Sequence, residues 1–210
     1  MKAHPFSHEV NQYRKSEIEH EILPYISHRW SPRSMTGESL LEEELFSLFE
    51  AARWAPSSYN NQPWRFLYAQ RATPEWPLFF DLMGAFNQSW TKNAGVLLVV
   101  LSAKQFAHSG KPSRTHSFDT GAAWMAMALE ATSRGLVIHG MEGFDYERTY
   151  TSLHIPKEAF QVEAMVAIGK RAPVSKLPSE LQEREKPSLR RPINESISSG
   201  VFPREWKNTS

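Results

Sequence analysis

Six consecutive apolar residues, Val96 to Leu101 (VLLVVL), constrain this chain more than any other feature of it. A strand with one wet face alternates apolar and polar side chains. A run with no polar position has no wet face and reads as a strand covered on both sides. A second segment, Asp119 to Arg134, is rich in Ala, Met and Leu at helical spacing and has no polar face after Gly121. That pattern predicts a central buried helix, and Gly135 is placed to cap it in the left-handed conformation.

Other elements fall around these two. Trp64 to Ala69 (WRFLYA) and Val162 to Ile168 (VEAMVAI) read as strands, the second ended by Gly169. Ser39 and Glu42 have capping-box spacing. Leu41, Leu45, Leu48, Phe49 and Ala52 then form one apolar helical face, and Pro56 stops the helix. The segment PSSYNNQPW is loop chemistry, with Ser and Asn bonding local backbone and two prolines fixing φ. GAFNQSWTKNA is a helix or turn, and a short helix is predicted around Tyr146 to Leu153. Residues 1–28 read as an amphipathic lead-in ending near Ile22, Leu23, Tyr25 and Ile26. After Arg171 the composition turns to Pro, Ser, Lys and Glu, which predicts an extended tail with no core of its own. Its end carries Phe202, Pro203 and Trp206, and packing on a partner subunit would remove these from water.

A chain of 210 residues with 40% hydrophobic and 22% charged residues can bury a core, so one α/β or α+β domain is expected. The formal net charge of +1 gives no case for nucleic-acid binding. There are no cysteines, which removes disulfides, thiolate zinc sites, Fe–S clusters and a catalytic thiol. That also fits a reducing compartment. No run reaches the roughly 18 apolar residues of a membrane span, and the polar N-terminus has no signal-peptide centre. A cytoplasmic protein is expected. Neither GxGxxG, GxxxxGK[ST] nor GxSxG occurs. His4 and His8 have i, i+4 spacing, but Pro5 sits between them and no metal site is expected there.

Four clusters could carry chemistry. Arg29, Ser31 and Arg33 place two guanidiniums and a hydroxyl within five residues, a set that matches phosphate oxygens; a solvated polar turn is the alternative. The hydroxyls and amides of Pro56–Trp64 could contact the polar edge of a heterocycle, or form an ordinary loop. In His139–Asp145 two glycines allow backbone N–H groups to approach a flat ligand, or simply make a tight turn. His139 could donate a proton, although a histidine beside a buried helix is more often structural. Arg190-Arg191-Pro192 could add a phosphate contact or be a solvated pair.

Taken in order, Arg-x-Ser-x-Arg, AARWAPSSYNNQPW, FNQSW before VLLVV, GMEGFD after the buried helix, and Arg-Arg-Pro in the tail resemble the FMN-dependent nitroreductase family. The resemblance spans about residues 25–197, with 1–24 a helical lead-in and 198–210 a tail. It implies an α+β fold: a central, mostly antiparallel sheet flanked by helices, in an interwoven homodimer with an extended C-terminal arm and two FMN sites at the subunit interface. It implies that Arg29, Ser31 and Arg33 hold the phosphate and ribityl chain, with Trp30 inside that turn, and that Arg190 assists. Asn87 would meet the polar edge of the isoalloxazine, and Met141, Glu142 and Gly143 would lie beside the ring. Pro56, Ser57, Ser58, Asn60 and Gln62 would come from the other subunit. Trp30, Trp90 and Ser188 replace residues that are basic in some members, so fewer positive charges are expected around the cofactor. The implied activity is ping-pong reduction of nitroaromatics, quinones or similar small acceptors by NADH or NADPH through flavin N5. No protein nucleophile and no metal are implied. Relatives of this fold also dehalogenate or consume their flavin, and a flavin-binding sensor or carrier without turnover is the reading from another class.

Overall fold

The computed structural model describes residues 7–203 and 206; His4 and the other terminal positions lie outside these. Four strands, β1 (Trp64–Gln70), β2 (Val96–Ala103), β3 (Leu136–Met141) and β4 (Phe160–Lys170), form one sheet in the order β1-β2-β4-β3. Every neighbouring pair is antiparallel. The helices are α1 (Ser7–Arg14), α2 (Pro24–His28), α3 (Glu42–Arg53), α4 (Trp76–Phe80), α5 (Ala85–Thr91), α6 (His116–Ser133), α7 (Tyr146–Ser152) and α8 (Ser179–Gln182).

The apolar run of β2 does what its composition requires. Val96, Leu98 and Val100 point into a core built with Leu45, Leu48 and Ala52 of α3 and Ala123, Met127 and Ala131 of α6. Leu97, Val99 and Leu101 point the other way, into a second core with Met35, Phe79, Leu82, Met83 and Trp90. The period of two sends alternate residues to opposite faces, and each face has its own helical cover.

Several expectations need correction. The third helix begins at Glu42 rather than Ser39. The Glu44 carboxylate accepts the Leu41 backbone N–H at 2.8 Å, while Ser39 Oγ turns away to the Arg71 carbonyl. The helix ends at Arg53, ahead of Pro56. Strand β4 continues through Gly169 to Lys170. Within the Asp119–Arg134 span α6 is not buried all round: Gly121 and Arg134 are exposed and Trp124 is only partly buried. Gly135 follows it with φ +72°, as a left-handed cap requires. The tail is not merely extended, since Leu177 and Leu181 are buried in the second core. Phe202 meets Trp206 edge-on at 5.6 Å but remains 63% exposed, so this contact alone does not take it out of water.

One irregularity bears on the site. Val100 pairs with Ala164 but Leu101 with Val162, so Glu163 is the extra residue of a β-bulge.

Candidate functional site

The backbone that carries Arg29, Ser31 and Arg33 is held along the end of β4. Thr36 N donates to the Lys170 carbonyl (3.0 Å) and Ala172 N to the Ser34 carbonyl (3.2 Å). The tail fixes it from the other side. The Glu185 carboxylate is fully buried, accepts the N–H groups of Arg33 (2.9 Å) and Ser34 (2.9 Å), and is paired with Arg171.

Beside this segment lies a cavity of about 800 Å³ lined by Arg29, Ser31 and Arg190, by Gly140, Met141 and Glu142, and by Thr120, Gly121 and Trp124 of α6. It joins three sequence clusters. A Cβ added at Gly121 would meet nothing within 4 Å, so this helix face leaves open space where a side chain would stand. At Gly140 a Cβ would come within 3.3 Å of the Trp124 ring. The Trp124 ring thus packs over Gly140, and the stretch of cavity wall left without a side chain is the one at Gly121.

A smaller recess of about 350 Å³ lies beside the same arginines, lined by Arg14, Arg29, Arg33, Arg184, Lys186 and Arg190 together with Trp30, Ser31, His139 and Ser188. Its lining contains no carboxylate. Arg14, Arg184 and Lys186 converge on Arg29, Arg33 and Arg190 from parts of the chain that local spacing could not connect. Burial, then the neighbouring Arg190, holds the Arg29 guanidinium below its usual pKa.

Trp30 sits at the edge of this recess, but its ring is buried against Val10 and under the Arg171 guanidinium, 5.2 Å away. Arg33 lies over the Trp90 ring at 5.9 Å. His139 packs on Trp90 at 4.8 Å, and its Nδ1 lies 3.0 Å from the Pro32 carbonyl. Desolvation, then Arg33, pushes its pKa down to about 4. It is a neutral ring donating to Pro32, which makes it a brace for the Arg33 turn.

The GMEGFD segment makes a three-residue turn in which Phe144 N donates to the Glu142 carbonyl at 2.7 Å. A side chain at its centre would push Asn87 aside, since a Cβ on Gly143 would come within 2.8 Å of Asn87 Nδ2. Asn87 is occupied within the chain: Nδ2 donates to the Gly143 carbonyl (2.9 Å) and Oδ1 accepts from Trp90 Nε1 (3.3 Å). It shapes the turn from behind and lines a separate hollow with Gly143. The Pro56–Gln62 loop lines neither the large cavity nor the cationic recess of its own chain.

Sequence reasoning passed over one group. The bulge residue Glu163 lines the cavity. Its carboxylate accepts from Ser102 Oγ and from Ser117 Oγ (2.7 Å), and Ser102 Oγ also lies 2.7 Å from His116 Nδ1. Along β4 it stands four residues, about 13 Å, from Ala167, the partner of His139. No local motif marks a bulge, so nothing in the sequence pointed here. Among the described residues no group of three or more His, Asp or Glu could hold a metal ion. No helix there is long and apolar enough to cross a membrane.

The family model for the nitroreductase family matches residues 26–75 and 67–170. An oxidoreductase whose crystal structure contains FMN is 46% identical, with a TM-score of 0.84, covering 89% of this chain and 95% of that one. A nitroreductase from Desulfovibrio desulfuricans, solved in complex with FMN, is 25% identical with a TM-score of 0.68, covering 89% and 100%. The Bacillus subtilis (strain 168) protein YdgI, named for NAD(P)H nitroreductase activity, is 25% identical over 166 residues, covering 62% of this chain and 78% of its own length. The chain is an oxidoreductase by its fold and relatives, and it belongs to the nitroreductase family.

Proposed function

We propose that the protein is a cytoplasmic, homodimeric FMN enzyme that uses NADH or NADPH to reduce small acceptors such as nitroaromatics or quinones. The observation that carries this is one cavity with Arg29 and Arg190 at one side, a wall left open at Gly121 beside the flat Trp124 ring, and Met141 and Glu142 at its edge. The donor set fits FMN: guanidiniums and a hydroxyl suit a phosphate, and the open wall at Gly121 suits a flat tricycle.

When bound, FMN would supply the two-electron chemistry. Arg29, Ser31, Arg33 and Arg190 would hold the phosphate. Met141, Glu142 and Gly143 would lie beside the ring, with the backbone N–H groups of the turn stabilising negative charge on it. Asn87 would act through the turn rather than at the ring. Pro56, Ser57, Ser58, Asn60 and Gln62 would come from the partner, in keeping with their absence from the lining of their own chain's cavity. Residues 25–197 would form the cofactor domain, with 1–24 and 198–210 as its extensions.

The test is an absorbance spectrum of the purified protein before and after anaerobic NADH and NADPH. A flavin spectrum that bleaches is expected, and steady-state kinetics should show two separate half-reactions. A spectrum that persists with both nicotinamides would point to a sensor or carrier. No flavin, even with FMN in excess, would overturn the reading.

A further inference from the structure

Arg14 lies in α1, ahead of the part of the chain that the family model matches. It is 8% exposed, and its guanidinium bonds to backbone outside its own helix. Its Nη1 donates to the carbonyls of Ser27 (2.8 Å) and Arg29 (2.9 Å), and its Nε donates to the carbonyl of Ser188 (2.9 Å). One planar fork thus ties the backbone leading to Arg29 to the backbone two residues before Arg190. Its remaining nitrogen, Nη2, is buried without a partner.

A buried guanidinium ordinarily sits against a carboxylate, because a desolvated charge is costly unless it is paired. Here the acceptors are neutral carbonyls, and the charges felt by Arg14 are those of Arg190 and Arg29. Burial, then these two neighbours, lowers its pKa to about 10. Five guanidiniums, those of Arg14, Arg29, Arg33, Arg184 and Arg190, converge on a recess whose lining has no acid. The missing partner is an anion, and the recess adjoins the cavity that suits a flavin.

We propose that Arg14 is a positioning residue of the phosphate site: it clamps Ser27–Arg29 to Ser188, sets Arg29 and Arg190 side by side, and adds a positive charge to the recess. This rests on the FMN reading and gives the N-terminal helix a task in cofactor binding. Lysine cannot reproduce the clamp, since an ammonium has no fixed fork to span three carbonyls.

The experiment compares FMN with riboflavin, which lacks the phosphate, by flavin fluorescence quenching on the full chain freed of cofactor. Arg14→Ala should raise the Kd for FMN at least tenfold and leave that for riboflavin within twofold. Arg14→Lys, which keeps the charge and guards against misfolding of the alanine variant, should raise the FMN Kd by a smaller factor with riboflavin again unmoved. Equal loss of both flavins would mean that Arg14 serves packing alone and would overturn the proposal, as would unchanged FMN affinity in both variants. Thermal stabilisation by inorganic phosphate is read in parallel. A protein that takes up no flavin, yet loses its response to phosphate in Arg14→Ala, would remove the FMN reading and keep the arginine clamp.

Discussion

Asp119 Oδ2 accepts the backbone N–H of Ser58, 61 residues earlier in the chain, at 3.0 Å. The same oxygen accepts from Thr115 Oγ1, also at 3.0 Å. One buried carboxylate thereby ties the first turn of α6 to the loop before β1. That loop needs an anchor, because Tyr59, Asn60 and Gln62 all have φ near +50°, a region unfavourable for side-chain-bearing residues. Asp119→Ala should cost about 2 kcal/mol, the loss expected when a buried charged acceptor leaves a backbone donor unmet. A thermal melt and faster amide exchange at Ser58 would check this; unchanged exchange would mean that the loop is held by other bonds.

Phe118 and Tyr59 flank that anchor and are 81% and 83% exposed. Large apolar groups exposed on a surface are candidates for an interface, and the proposed dimer would cover these two. Phe118→Asp should shift sedimentation from dimer to monomer. FMN affinity should fall with it, since the Pro56–Gln62 loop would no longer reach the partner's cavity. A dimeric variant would place the interface elsewhere.

Gly121 should tolerate a side chain structurally but not functionally. A Cβ there enters open space, and replacing glycine within a helix gains up to about 1 kcal/mol of propensity. Gly121→Leu should therefore keep or raise Tm while lowering flavin content at least tenfold. Full flavin occupancy would show that the ring does not use the open wall at Gly121.

The depressed pKa of His139, about 4 by burial and Arg33, makes stability depend on pH. The unfolded ring protonates near 6.5, and the folded one resists until about 4. Between these values the unfolded state binds more protons, so stability falls as pH drops through that window and this source adds no further loss below it. With 1.36 kcal/mol per unit, the loss is on the order of 3 kcal/mol. Urea melts at pH 7 and pH 4.5 should differ less in His139→Gln than in the parent, and the imidazole resonances should stay neutral at pH 5.

The parts of this architecture that were legible in advance are those set by local pattern. VLLVVL announced a strand covered on both faces, and the cluster order led to a cavity that brings Arg29, Ser31, Met141, Glu142 and Arg190 together. What was illegible depends on distant partners. Asn87 looks like a ligand until Gly143 is seen to take its amide. Leu177 and Leu181 are hidden in a Pro- and Lys-rich stretch that reads as tail. Glu163 depends on a one-residue slip between β2 and β4, which leaves no mark in composition. Arg14 and Ser188 lie 174 positions apart, and no spacing rule joins them.

That separation has a consequence for how the protein is made. Arg33 waits for Glu185, 152 residues downstream, and Arg14 for Ser188. During synthesis the sheet and both helical covers up to β4 can assemble while the recess is still open at its C-terminal side. Contacts of such long range carry the largest loop-closure cost and form late. The recess therefore closes only once residues 185–188 have docked on a sheet already built, which makes the anion site one of the last parts of the fold to form.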